Sequence, residues 1–185
     1  MNYQKITKCD TANGDGIRVT LWVSGCSHHC KECHNPQTWD PKSGKLFTYV
    51  TYRELCEELE KPWIDGLTLS GGDPLHEYNR SVISSLTGYI KCMFPDKTIW
   101  CYTGYTLEEL WKLRDYDSRI DAILDNIDIL VDGQYQKDVR DVSYPWAGSS
   151  NQRVWAKVNG SWVQSKYDKE YREKLNAKSI THLQE

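Results

Sequence analysis

No run of apolar residues in this chain exceeds four, the longest being Ile-Trp-Cys-Tyr at 99–102. A membrane helix needs about 20, so no membrane span is expected. The first residues, MNYQKITKCD, carry no apolar core of the kind that drives export. Basic residues are not in excess either: 23 Lys+Arg stand against 26 Asp+Glu, a formal net charge of −3. Nucleic-acid binding usually shows as a basic surplus, so no nucleic-acid partner is expected. Internal repeats and low-complexity stretches are absent. What remains is an ordinary globular composition, 39% hydrophobic and 26% charged over 185 residues. That length suits one domain, or one domain with an extension. Without an export signal, the seven cysteines are expected in a reducing cytoplasm. There they read as metal ligands, catalytic groups or core residues rather than disulfides.

The pattern alternates between strand-like and helix-like segments. Residues 17–23 are rich in β-branched and aromatic side chains and read as a strand. A loop with cysteines and prolines follows over 24–44. Thr51 with Glu54 has the form of a capping box, so a helix is expected over 51–60, ended by Pro62. Strands are expected at 66–70, 98–102 and 128–131. Apolar residues at helical spacing predict a helix over 79–92. Thr106 with Glu109 opens another, to about Arg114. Asn159–Gly160 between two alternating runs predicts a hairpin. The tail from Tyr167 is charged and reads as a surface helix or partly disordered. This order implies βαβ units and a parallel sheet. In such a sheet the functional loops gather at the carboxyl ends of the strands. The cysteine loop, Gly71–Gly72–Asp73, Thr103–Gly104–Tyr105 and Asp132–Gly133 should therefore share one edge.

Cys26, Cys30 and Cys33 form C-x3-C-x2-C, with His34 next. Soft thiolates suit zinc or an iron–sulfur cluster. A structural zinc site wants four ligands, most often from two C-x2-C pairs, and no second pair exists. His28, His29 or His34 could complete it. A [4Fe–4S] cluster normally takes four cysteines; with three, one iron stays open for an outside ligand. Three loop cysteines without a ligand role are the plain alternative. The segment Leu69–Ser70–Gly71–Gly72–Asp73–Pro74–Leu75 places glycines at a strand end, where backbone can approach a ligand closely. An acidic side chain there can receive an ammonium group. The plain alternative is a strand-to-helix turn with Pro74 near the helix start.

C-x3-C-x2-C together with Gly71–Gly72–Asp73, Asp standing where Glu is usual, resembles the radical S-adenosylmethionine family. An ordered set narrows this: Asn13–Gly14–Asp15–Gly16–Ile17–Arg18, Gly25–Cys26, His29, Cys33–His34–Asn35, the GGDPL segment, Trp100–Cys101–Tyr102–Thr103–Gly104–Tyr105, Asp128–Ile129–Leu130–Val131–Asp132–Gly133, and Gly148–Ser149–Ser150–Asn151–Gln152–Arg153. Over roughly residues 1–157 the chain resembles the activating proteins of anaerobic (class III) ribonucleoside-triphosphate reductases.

The resemblance implies an α/β fold: a truncated, open (β/α) barrel of the radical S-adenosylmethionine type. Its sheet would be mainly parallel, with a C-terminal hairpin and tail added. A closed (β/α)8 barrel usually needs about 250 residues. Residues 1–157 would form the activase domain and 158–185 the hairpin end and charged tail. The implied cofactors are a [4Fe–4S] cluster with three cysteine ligands and one open iron, and S-adenosylmethionine. The implied activity is reductive cleavage of S-adenosylmethionine and hydrogen abstraction from a glycine near the carboxyl end of the reductase large subunit. A flavodoxin-type protein would donate the electron.

Carried over by position, Cys26, Cys30 and Cys33 would ligate the cluster. The backbone of Glu32, Cys33 and His34 would meet the adenine. Gly71, Gly72 and Asp73 would hold the methionine moiety, and Thr103, Gly104 and Tyr105 would line the cofactor side. No catalytic residue is implied beyond the cluster and cofactor. Glu32 departs from the aromatic or small residue of many relatives, which removes any stacking there. Alternatives within the same chemistry are an activase of the pyruvate formate-lyase type or a small radical enzyme of deazapurine biosynthesis; Gly148–Arg153 argues against both. Outside that chemistry stands a non-catalytic zinc-binding module. His28 and His29 are expected to orient the cysteine loop by hydrogen bonds. Cys9, Cys56, Cys92 and Cys101 have no metal-like spacing. Trp146, Trp155 and Trp162 could form a docking patch or pack on the sheet. No motif falls in the tail, so its removal after Tyr167 is expected to leave cofactor cleavage intact.

Overall fold

The computed structural model describes the backbone of residues 1–181 and side chains through residue 175; the end of the expected tail, with His182, lies outside the described residues. In chain order the elements are β1 (Asn2–Asp10), β2 (Arg18–Val23), β3 (Lys45–Leu46), α1 (Tyr49–Leu59), β4 (Gly66–Gly71), α2 (Glu77–Met93) and β5 (Thr98–Tyr102). They continue with α3 (Leu107–Leu113), α4 (Ser118–Asn126), β6 (Ile129–Asp132), β7 (Arg153–Val158), β8 (Ser161–Gln164) and α5 (Lys166–Thr181). All eight strands form one open sheet in the order β3-β1-β2-β4-β5-β6-β7-β8.

The fold is mixed α/β, and the expectation of a mainly parallel sheet is corrected. The centre, β2-β4-β5-β6, is parallel. The β1–β2, β1–β3, β6–β7 and β7–β8 pairings are antiparallel, which makes four of the seven pairings antiparallel. The reason lies in the connections. Among sheet neighbours, only β2 to β4, β4 to β5 and β5 to β6 are joined by segments containing an α-helix, the usual parallel crossover. The flanking strands join through loops or a tight turn. The β7–β8 turn places Asn159 and Gly160 at φ of 50° and 77°, the conformation of a type I′ hairpin.

Alternation along the central strands separates two faces. Val19, Leu21, Val23, Leu67, Leu69, Ile99, Cys101 and Leu130 share one buried cluster with Leu55 and Leu59 of α1, Ile83, Leu86 and Ile90 of α2, and Ile120 and Ile123 of α4. Each such aliphatic side chain stabilises the fold by about 1.5–3 kcal/mol when removed from water. The other face carries Arg18, Thr20, Trp22, Thr68, Ser70, Trp100, Tyr102 and Val131, set by the same register. There Arg18 is fully buried and donates to Thr68 Oγ1 at 2.7 Å and to the carbonyls of Leu67 and Thr98 at 2.7 and 2.9 Å. A buried guanidinium among neutral acceptors is harder to keep charged, and its pKa falls to about 10. Over part of this face lie Trp146, Tyr144 and, from α5, Tyr167 and Tyr171.

Three elements escape the sequence patterns. Strand β1 shows no clean alternation, and β3 has two residues. Helix α4 is capped by Asp117, whose side chain accepts from Arg119 N. The start of α1 lies earlier than expected: Thr48 is the cap, and Thr51 Oγ1 accepts from Thr48 N at 3.4 Å from the N3 position. His76 caps α2.

Candidate functional site

A cavity of about 530 Å³ opens where β2, β4, β5 and β6 end. Cys26, Cys30, Cys33 and His34 form one wall, Gly71 and Gly72 a second, Thr103 and Gly104 a third. The predicted convergence at one sheet edge is therefore present. The cysteine loop is tied down by Gly25 N to Thr38 O at 2.7 Å and Cys26 N to Trp39 O at 3.1 Å. His29 and Glu32 take left-handed φ of 47° and 56°, which winds the loop tightly.

Burial raises the Cys26 thiol to about 11 and pushes Cys30 up as well. Such thiols become ligands only when a bound cation offsets the buried charge. The donor set fits an iron–sulfur cluster: three soft sulfurs from one loop line one cavity. Among the described residues, no three His, Cys, Asp or Glu side chains group as a site for a single metal ion. Cluster thiolates attach to different irons and need not converge on one point. Cys9 and Cys92 are exposed, Cys56 is half-buried on α1, and Cys101 is buried on the helix-covered face.

The two glycines serve the meeting of loops. A Cβ on Gly71, whose φ is +109°, would come within 2.7 Å of the Val23 backbone, and one on Gly72 within 2.6 Å of Gly25 O. Only bare backbone lets the turn after β4 close on the cysteine loop. Asp73 stands behind the wall and is 1% exposed. Its carboxylate accepts from Leu75 N at 2.8 Å, from Thr103 Oγ1 and Gly104 N at 3.0 Å, and from His28 Nε2 at 2.8 Å. These donors occupy its lone pairs, so Asp73 braces the turns from behind. Asn79 of α2 adds a further brace, donating to Ser24 O at 2.9 Å and Asp73 O at 2.8 Å. Glu32 points outward and pairs with Lys137. Tyr105 packs edge-on against His28 with ring centroids 4.7 Å apart.

The sequence reading missed the outer wall, the segment between β6 and β7. Tyr135, Trp146 and Gly148 line the cavity, and the Tyr135 ring lies 5.7 Å from that of His34. The Gly148–Arg153 motif holds this segment in place. Gln152 Oε1 accepts from Gly148 N at 2.8 Å, Gln152 Nε2 donates to Gly133 O at 3.0 Å, and Asn151 Nδ2 donates to Gln134 O at 2.8 Å. The motif could have signalled a wall, because amide side chains in a loop commonly bind backbone. Trp146 packs on Trp100 and Tyr167, while Trp155 and Trp162 pack against the core.

The chain is similar over most of its length to known proteins. The family described as "4Fe-4S single cluster domain" matches residues 12–155. The anaerobic ribonucleoside-triphosphate reductase-activating protein of Enterobacteria phage T4 is 44% identical over 162 residues, covering 88% of this chain and 98% of that protein. The proteins of the same name from Vibrio cholerae and Escherichia coli K12 are 43% and 42% identical over 156 residues, covering 83% of this chain and 97% of each. A match of this extent sets aside the zinc module, and the chain belongs to the family of anaerobic ribonucleoside-triphosphate reductase-activating proteins.

Proposed function

We propose that this chain is a radical S-adenosylmethionine enzyme that installs a glycyl radical near the carboxyl end of an anaerobic ribonucleoside-triphosphate reductase large subunit. The observation that carries the reading is that Cys26, Cys30 and Cys33 line one cavity with Gly71 and Gly72, at the carboxyl edge of the parallel strands. When bound, a reduced [4Fe–4S] cluster and S-adenosylmethionine supply a carbon-centred radical able to take a hydrogen atom from a glycine Cα.

The protein's part is to hold and orient. Cys26, Cys30 and Cys33 would hold the cluster. The backbone at Gly71 and Gly72 offers a cradle for the methionine moiety, with Asp73 fixing the cradle from behind. Backbone at Glu32, Cys33 and His34 would meet the adenine, and Thr103, Gly104 and Tyr105 would close the opposite side. The open sheet is a truncated barrel, carried by residues 1–157 and extended by 158–185. Its missing side leaves room for a loop of the reductase. A flavodoxin-type donor in the cytoplasm supplies the electron.

The test is anaerobic reconstitution followed by electron paramagnetic resonance with and without S-adenosylmethionine. A reduced [4Fe–4S] signal whose shape changes with the cofactor is expected. Replacing any one of Cys26, Cys30 or Cys33 with alanine should abolish it. One tightly held zinc and no cluster would overturn the reading.

A further inference from the structure

His28 touches the turns that follow all four parallel strands. It sits in the cysteine loop after β2. Its Nε2 donates to Asp73 Oδ2, after β4, at 2.8 Å. Its ring lies against Gly104, after β5, where a Cβ would fall 2.3 Å from His28 Cδ2. Tyr105 packs edge-on at 4.7 Å between centroids. Its Nδ1 accepts from Gln134 Nε2, after β6, at 3.1 Å. The side chain is 8% exposed. Both ring nitrogens are thus engaged, each by a turn from a different strand.

We infer that His28 is a positioning residue, fixing the cradle of Gly71, Gly72 and Gly104 relative to the three thiols. The inference rests on the cofactor placement proposed above. The three cysteines would hold the cluster, so losing His28 should leave it in place. The Asp73 carboxylate would lose its one partner from the cysteine loop among the described residues, leaving the Asp73 N to Gly25 O bond and the Asn79 bridge to Ser24 O as the remaining ties. The cradle and the turn at 103–105 would then be held less firmly against the thiols.

The experiment compares the full-length wild type with His28→Ala and His28→Gln after anaerobic reconstitution. The glutamine variant keeps a donor and an acceptor. Iron and sulfide content should be equal in all three. Affinity for S-adenosylmethionine, followed by the change in the reduced cluster's resonance signal, should fall about tenfold in His28→Ala, as expected for a lost carboxylate hydrogen bond. Much of it should return in His28→Gln. Hydrogen exchange, measured without S-adenosylmethionine, should rise in His28→Ala at 103–105 and 133–136, segments far away in the chain. Wild-type affinity with unchanged exchange in His28→Ala would overturn the inference. So would loss of the cluster in both variants, which would make His28 a support of its own loop. A wild type that loads a cluster but never responds to S-adenosylmethionine would overturn the proposed function instead. The exchange pattern would then decide whether His28 couples the turns.

Discussion

Arg153 lies opposite Asp132 in the β6–β7 pairing and donates from Nε to Asp132 Oδ1 at 3.0 Å. Two motifs at the ends of the β6–β7 connection, Asp128–Gly133 and Gly148–Arg153, meet in this bond. Asp132 is fully buried and also accepts from Leu107 N at 2.7 Å, which ties in the start of α3. Arg153 is part-exposed and reaches Glu108 as well. Arg153→Ala would strand a buried carboxylate with one backbone donor. A loss of about 2–4 kcal/mol is expected in urea unfolding, because an unpaired buried charge keeps its desolvation cost. Combining it with Asp132→Asn should cost less than the two single losses summed. Additive losses would show that the pair does not act as a unit.

Much of this site was legible because its chemistry is written in spacing. The cysteine loop, the two glycines and the strand ends all fall where the alternation of elements put them. Less legible was what each polar residue does once there. Asp73 reads as a ligand-facing carboxylate in one dimension. In three, Thr103, Gly104, Leu75 and His28 surround it, and those partners come from turns the sequence does not join. The sheet direction was misread for a related reason. Alternating strands and helices predict parallel pairing, but β1, β3, β7 and β8 reach the sheet without helical crossovers. Helix α4 went unread because its cap, Asp117, stands amid charged residues and opens no capping box of the kind that marks α3.

Gly72→Ala separates loop closure from ligand approach. The added Cβ would meet the Gly25 and Thr38 carbonyls, at 2.6 and 3.1 Å. These are backbone atoms and cannot swing aside. A loss of about 1–3 kcal/mol in stability is expected, typical of forced overpacking. Iron loading should fall with it, since Gly25 adjoins Cys26. Normal stability with impaired S-adenosylmethionine binding would instead assign Gly72 purely to the ligand.

Asp117 gives the fold an acid-sensitive point. Its carboxylate accepts from Arg119 Nε at 2.7 Å, from Arg80 Nη1 at 3.1 Å and from Arg119 N at 3.1 Å. These bonds, the Arg119 side chain first, hold its carboxyl well below the usual carboxylate range. A depressed folded-state pKa means the stabilisation is present above the unfolded value and is lost as pH falls through the folded one. Asp117→Asn keeps a capping side chain but removes the charge. It should cost about 1 kcal/mol at neutral pH. The gap to wild type should narrow below about pH 4, where the unfolded carboxyl takes up a proton. Unfolding midpoints from pH 7 to 3 measure this, and a constant gap would assign the effect to geometry rather than charge.

Tyr171 connects the tail to the cavity. It is buried, stacks on Tyr144 with centroids 3.7 Å apart, and donates to Asp141 Oδ2 at 2.7 Å. Tyr144 in turn donates to the buried Asp168, and Arg172 reaches Ser150 O and Gln152 O at 3.3 and 2.9 Å. Helix α5 therefore grips the segment whose Tyr135 and Trp146 line the cavity, although its sequence carries no motif. Tyr171→Ala should cost about 3–4 kcal/mol, as for other large aromatic truncations in a packed site. Tyr171→Phe, losing only the hydroxyl bond, should cost about 1 kcal/mol. Hydrogen exchange should rise over 134–150 in the alanine variant and stay low around 77–93, on the other face of the sheet. If exchange rises only within 166–175, α5 supports itself alone. Removal of the chain after Tyr167 should then leave the cavity wall as firm as before.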